Sequence, residues 1–142
     1  GVQTCALPIF TSMNSEALAA ERDAEDAMVV EVIGNQWVWN FKYIDQNIES
    51  HELALPVGKP VKFLVHSVDV NHSFWPVQLG VKADANPVSV VQINTTPNKI
   101  GKIDVKCAEL CGLYHAYMET EGFVMSEGDF NNWVLEHGGK TA

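Results

Sequence analysis

The sequence is poor in cysteine and in base, and it has no long apolar run. Three cysteines in 142 residues are too few to staple a small fold with disulfides. Nine Lys and Arg stand against eighteen Asp and Glu, a formal charge of −9. That balance argues against nucleic acid and anionic membrane surfaces as partners, and leaves room for a basic protein. No membrane-length apolar stretch occurs, so no segment reads as a spanning helix. Internal repeats and low-complexity tracts are also absent. The opening GVQTCALPIF has neither the basic start nor the apolar run of a secretory signal, and nothing is expected of Cys5. What is present is 46% hydrophobic and 19% charged residues, the composition of one globular domain with a core of its own.

The acid is uneven. Gly1–Glu31 carries six acids and one base, a net −5, and the rest carries twelve acids and eight bases, a net −4. Residues 1–27 are read as an acidic lead-in, solvated or partly helical, and 28–142 as the domain. From Met28 the pattern turns to β. Met28–Ile33 and Gln36–Ile44 are rich in β-branched and aromatic residues, and Trp37, Trp39, Phe41 and Tyr43 recur at period two, one face of a strand. Glu52–Leu55, Pro60–His66, Ser89–Asn94, Gly101–Lys106 and Gly122–Met125 complete the expected strands, with turn-rich TTPNK between two of them. Ser126 followed by Asp129 is an N-cap at capping-box spacing, Phe130, Trp133 and Val134 make an apolar stripe, and Gly138 stands where a helix would stop. Six to eight short strands with one closing helix predict an all-β sandwich or barrel.

Chemistry concentrates in VDVNHSFW (68–75) and KCAELCGLYHAYMET (106–120). The second holds Cys107, Cys111, His115 and Met118 within twelve residues. Thiolate and thioether select copper and other soft metals, and imidazole suits copper or zinc. The same spacing also fits the buried stripe of an α-helix, because offsets of 0, 4, 8 and 11 share a face. Gly112 in mid-run and the lack of a clear polar face opposite count against that. A Cys107–Cys111 disulfide is a further alternative, which would leave His115 and Met118 without a role. Among metal sites, a zinc tetrahedron of Cys107, Cys111, His115 and His72 leaves Met118 idle. A single blue copper leaves one cysteine idle. Two coppers bridged by two thiolates use every side chain, with Met118 and a carbonyl of the intervening loop as weak axial donors.

VDVNHSFW followed by KCAELCGLYHAYM resembles the copper A domain of cytochrome c oxidase subunit II, whose pattern is an H-S-F/W segment and then C-x-E-x-C-G-x-x-H-x-x-M. GNQWVWNFKY is similar to the aromatic stretch of that family, so the resemblance runs from about Met28 to the closing helix. It implies a cupredoxin-like Greek-key β-barrel. It implies that Cys107 and Cys111 bridge two coppers and that His72 and His115 each bind one. Met118 would then be axial on one copper and the Glu109 carbonyl on the other, and the Glu109 side chain would reach a magnesium ion shared with subunit I. Trp37 matches the residue at which an electron arrives from cytochrome c. Partners implied are cytochrome c and subunit I, on the extracytoplasmic face of the membrane. Oxygen reduction would belong to subunit I and not to this domain.

One departure is visible: where the family often has Pro-Gly after the first histidine, this chain has Pro87-Val88, and a Val forced to positive φ would be strained. Family members also carry a membrane hairpin ahead of the domain, so the chain reads as a piece of a longer protein whose membrane contact runs through that hairpin and the complex. Asp69, three residues before His72, is a candidate carboxylate for orienting that histidine, with an ordinary loop Asp as the alternative. His51, His66 and His137 have no ligand context, and His66 is expected to face solvent. Two other functions stay open on sequence alone: the copper A domain of a nitrous oxide reductase, and a stand-alone copper-binding cupredoxin.

Overall fold

The computed structural model describes residues 25–141. The lead-in expected over 1–27, apart from its last three residues, and Cys5 with it, lie outside the described residues. Ten strands and one α-helix are present among those described: β1 Met28–Asn35, β2 Val38–Tyr43, β3 Ile48–Ser50, β4 Leu53–Pro56, β5 Val61–Ser67, β6 His72–Pro76, β7 Ala83–Ala85, β8 Val91–Thr95, β9 Gly101–Cys107, β10 Glu119–Met125 and α1 Glu127–Glu136. They form two five-stranded sheets, in the orders β3-β2-β1-β5-β8 and β4-β10-β9-β6-β7. This is the all-β, cupredoxin-like sandwich with a short closing helix that the sequence predicts.

Alternation builds the core. In β1, Met28, Val30 and Val32 are buried and their neighbours half-buried, and β5 repeats the pattern with Val61, Phe63 and Val65. The two strands run parallel, Met28 opposite Val61 through Gly34 opposite Ser67, so their buried faces form one continuous surface. Phe74 of β6 reaches it from the other sheet, its ring 5.2 Å from Phe63, 5.7 Å from Trp39 and 6.1 Å from Phe41. The Tyr43 hydroxyl donates to the Ala54 carbonyl (3.0 Å) and accepts from its amide (2.8 Å), tying β2 to β4 across the sandwich. Burial raises the Tyr43 pKa, against the lowering effect of that backbone bond. Helix α1 begins as expected: the Ser126 hydroxyl accepts from the Asp129 amide, and Phe130 and Val134 are buried.

Several boundaries differ from the sequence reading. β2 starts at Val38, so of the four aromatics Trp39, Phe41 and Tyr43 are buried in the strand and Trp37 stands in the turn before it, half-buried. β10 begins at Glu119, three residues early, because it pairs antiparallel with β9 from Glu119 opposite Lys106 onward. The expected strand from Ser89 opens at Val91. Strands β3, β6 and β7 carry too few alternating residues to announce themselves. Val88 is free of the expected strain: among the described residues the positive-φ position outside glycine is Asn47. The Asn86 side chain accepts from the Val88 amide at 2.8 Å, so an Asx turn replaces the glycine turn.

The fold matters to function because it gathers four connections at one pole: the β1–β2 turn, the β5–β6 loop, the β7–β8 loop and the long β9–β10 connection. β5 and β7–β8 are joined there by the Ser67 amide to the Asn86 carbonyl.

Candidate metal centre

The two ligand segments of the sequence meet at this pole. β9 ends at Cys107 and pairs with β6, Phe74 opposite Cys107. That pairing brings His72, at the start of β6, against the cysteine. His72 is fully buried, with its Nδ1 3.9 Å from Cys107 Sγ. The chain then leaves the sheet, and the helix that the 107–118 spacing also allowed does not form. The connection runs irregularly to a single 3-10 turn at His115–Tyr117. It doubles back so that the Cys107 amide donates to the Met118 carbonyl at 3.1 Å.

Inside this loop the donors converge. The two thiols are free, their sulfurs 3.7 Å apart. Cys111 Sγ lies 3.4 Å from His115 Nδ1 and 3.7 Å from Met118 Sδ. Cys107 Sγ lies 3.2 Å from the Glu109 carbonyl oxygen. His72, Cys107 and Cys111 place one donor atom each within 4.8 Å of one another. Each sulfur therefore has one imidazole nitrogen and one weak donor beside it: His72 and the Glu109 carbonyl at Cys107, His115 and Met118 at Cys111. Cys111 and Met118 are buried, Cys107 and His115 half-buried, and the Glu109 residue itself is exposed. Burial, and after it the hydrogen bond and charge of Cys107, push the metal-free Cys111 thiol up to about 12.

The donor set fits copper: soft sulfurs, imidazoles presenting Nδ1, a thioether and a carbonyl. It is also doubled about a shared pair of sulfurs, which a single tetrahedral ion would not need. Asp69 sits behind His72, its Oδ1 2.8 Å from Nε2, and Asp69 Oδ2 accepts from the Gln36 amide at 2.6 Å. Burial works to raise the Asp69 carboxyl, but the Gln36 amide, His72 and the Val70 amide outweigh it and hold it below the usual carboxylate range. His66 is half-buried, bonded through Nε2 to Glu31 at 2.8 Å, and is not near the cluster. His51 and His137 bond backbone carbonyls.

Four residues at the pole escaped sequence reasoning. Gly34 on β1 lies under His72: a Cβ there would come within 2.9 Å of the imidazole, and a glycine inside a strand is the signal that could have marked it. Gln36 donates through Nε2 to the Cys111 carbonyl at 2.9 Å. Tyr114 holds the Trp37 ring edge-on at 4.7 Å, and Tyr117 lies 6.4 Å beyond Tyr114. Around the centre the surface is apolar: Leu110, Leu113 and Tyr117 of the loop are 79%, 81% and 77% exposed, with Val68, Val88 and Val90 also exposed.

Among the described residues no helix is long and apolar enough to cross a membrane. The family model described as "Cytochrome C oxidase subunit II, periplasmic domain" matches residues 47–122. The chain is 45% identical over 107 residues to the cytochrome c oxidase subunit 2 of Thermostichus vulcanus, a match covering 75% of this chain and 32% of that protein. The periplasmic domain of subunit II of cytochrome oxidase of Bradyrhizobium japonicum superposes with a TM-score of 0.75 at 27% identity, covering 80% of this chain and 95% of that one. A second solved structure, a mixed disulfide intermediate between a thioredoxin-like protein and subunit II of cytochrome c oxidase, superposes at 0.70 with 26% identity, covering 80% and 92%. The chain spans about a third to half the length of the curated relatives it matches. With its ligand loop, its two-sheet frame and these likenesses together, the chain belongs to the cytochrome c oxidase subunit II family, whose periplasmic domain it carries.

Proposed function

We propose that this domain receives single electrons from cytochrome c at a two-copper centre and delivers them to haem in subunit I, on the extracytoplasmic face of the membrane. The observation that carries the reading is the doubled donor set: two sulfurs, each with its own imidazole and its own weak donor. His72, Cys107, Cys111, His115, Met118 and the Glu109 carbonyl would hold the metals. Two copper ions held by these donors would supply a one-electron redox site. The protein's own part is to fix the donors. Asp69 orients His72 through the outer ring nitrogen, as carboxylates do behind metal-ligating histidines. The buried face of the centre excludes water from Cys111 and Met118. An electron-transfer site would need no open coordination position for a substrate, and the donor set present would fill both ions, which supports electron transfer over bond-making chemistry. The subunit II match supports the oxidase over a nitrous oxide reductase or a stand-alone cupredoxin.

Trp37 is the proposed point of electron arrival. It is more deeply set than a surface indole: its ring is half-buried against Gly112 and Tyr114, so a donor would meet Tyr114, Tyr117 and the leucines of the loop first. The apolar rim supports close docking, and the charge of −9 supports steering of a basic cytochrome. Exposed Glu109 is the proposed reach toward a magnesium ion shared with subunit I. A thioredoxin-like protein, by analogy with the mixed-disulfide structure, is the class of partner that would return an oxidised Cys107–Cys111 pair to the dithiol before copper uptake.

Metal analysis with electron paramagnetic resonance tests the reading. Two coppers per chain sharing one unpaired electron are expected. One copper with a four-line pattern, or one zinc, would sink it. With the copper form in hand, reduction by a basic cytochrome should slow between 0.01 and 0.1 M salt, as the Debye length shrinks from about 30 Å to about 10 Å. Trp37→Phe should slow it further without moving the copper spectrum.

A further inference from the structure

We infer that Gln36 is a positioning residue that brackets the two halves of the centre, holding the Cys111 apex of the ligand loop at a set distance from His72. The inference rests on the two-copper reading and adds to it a residue outside the ligand pattern. The ligand loop is secured at its neck, where the Cys107 amide meets the Met118 carbonyl and the Ala108 amide meets the Ser73 carbonyl at 2.9 Å. Beyond the neck it is held by its own turns, from the His115 amide to the Gly112 carbonyl and from the Met118 amide to the His115 carbonyl, each at 3.2 Å. These bonds shape the loop but do not tie its apex to the rest of the domain. Among the described residues the hydrogen bond that does so comes from Gln36, whose Nε2 donates to the Cys111 carbonyl at 2.9 Å.

The same residue reaches the other half. Its backbone amide donates to Asp69 Oδ2 at 2.6 Å, and Asp69 Oδ1 holds His72 Nε2 at 2.8 Å. One residue in the β1–β2 turn is therefore bonded to the carboxylate behind one imidazole and to the peptide that carries the far sulfur. The seat is cut to fit. Gly112 has φ +123°, and a Cβ there would stand 2.9 Å from Gln36 Nε2 and 3.3 Å from the Trp37 ring. Glycine at 112 thus serves both the backbone conformation and the approach of the bracket. Gln36 is itself exposed, so its side chain contributes little to the core, and its removal tests position rather than folding.

Gln36→Met keeps the length and removes the donor; Gln36→Ala removes both. Both variants should still take up two coppers and melt, copper-free, with the wild-type midpoint. Their hyperfine pattern and visible bands should shift, and copper should be lost to a chelator about tenfold faster, the lower end of what outer partners of metal ligands contribute. Gly112→Ala, which pushes the same contact from the other side, should move the same bands. Hydrogen exchange in the copper-free 142-residue chain gives a reading that needs no metal: the His115 and Met118 amides should exchange faster in Gln36→Met. If loop exchange rises and no chain, wild type included, gives a two-copper spectrum, the bracket stands and the copper reading falls. Wild-type spectrum, chelator rate and loop exchange in both Gln36 variants would overturn the bracket.

Discussion

The two halves of the centre are built by different means. On one side Cys107 ends a strand, His72 opens its neighbour, and the pairing of Phe74 with Cys107 sets their approach. Asp69 fixes the ring from behind. On the other side Cys111, His115 and Met118 stand in an irregular connection with one 3-10 turn. Among the described residues no hydrogen bond holds the outer nitrogen of His115. The strand half inherits its geometry from the sheet and from the core beneath it. The loop half depends on a few local bonds, on the neck that closes it and on the Gln36 side chain at the Cys111 carbonyl. The difference teaches where the site should be robust and where it should yield: a sheet register cannot slip without turning every side chain over, whereas a loop relaxes locally.

The largest effect tests whether the halves are independent at all. Cys107→Ser and Cys111→Ser should each abolish the shared-electron spectrum completely if, as proposed, the sulfur that each half contributes is shared by both metals. A variant that kept the native pattern by paramagnetic resonance would show that its sulfur is not a bridge. Asp69→Ala comes next. It strips the carboxylate behind His72 and the acceptor of the Gln36 amide, and copper affinity should fall roughly 10- to 100-fold in a chelator competition. A loss under twofold would mean that the sheet alone orients His72.

The same contrast governs what the sequence disclosed. Period-two runs in β2 and β5 were legible because one face of each strand is core and the other is not, over six or more residues, and β1 was legible from its β-branched residues. The N-cap of α1 was legible because Ser126 and Asp129 act within one turn. Ligand types and spacing pointed to the metal cluster, but spacing alone could not separate a helix from a folded-back loop, since both bring 107, 111, 115 and 118 together. β6 was hidden because His72–Pro76 carries a histidine and a proline where alternation would be read. Gln36 and Gly34 were hidden because their roles exist only across the β1–β2 turn and the sandwich, at separations no local pattern records. Val88 misled for the opposite reason: a family habit suggested a glycine turn, and Asn86 supplied another way to make it.

Proton release is the third expected effect, and it belongs to the loop half. The metal-free Cys111 thiol is pushed up to about 12, so between pH 6 and 8 it holds its proton. Binding copper as thiolate must release it. Because this whole window lies below the thiol's pKa, the apparent affinity should rise by at least about tenfold per pH unit, the share of the Cys111 proton alone, or about 1.4 kcal/mol per unit, and should weaken correspondingly as pH falls. Competition against a chelator of known protonation, read at pH 6, 7 and 8, checks the slope. A flat profile would mean that Cys111 is not bound as a thiolate.

The smallest effect is the sharpest test of the contrast. Phe74 is fully buried, with three aromatic rings within about 6 Å, and Phe74→Ala should cost about 3–5 kcal/mol as the cavity opens at the joint of both sheets. Tyr117, only two residues beyond a candidate ligand, is 77% exposed and touches little beyond Tyr114. Tyr117→Ser should therefore stay within about 0.5 kcal/mol. Urea unfolding of the copper-free chain measures both, with an unchanged slope showing that the unfolded state has not altered. Both side chains carry a phenyl ring, so the aromatic ring alone does not separate them; their places in the fold do. If Tyr117→Ser cost 2 kcal/mol or more, the loop would be coupled to the core, and the strand half and loop half would be one rigid unit. If the cost is small, the exposed ring is there for something other than the fold. A slower reaction with cytochrome c at unchanged stability would then place Tyr117 on the docking face.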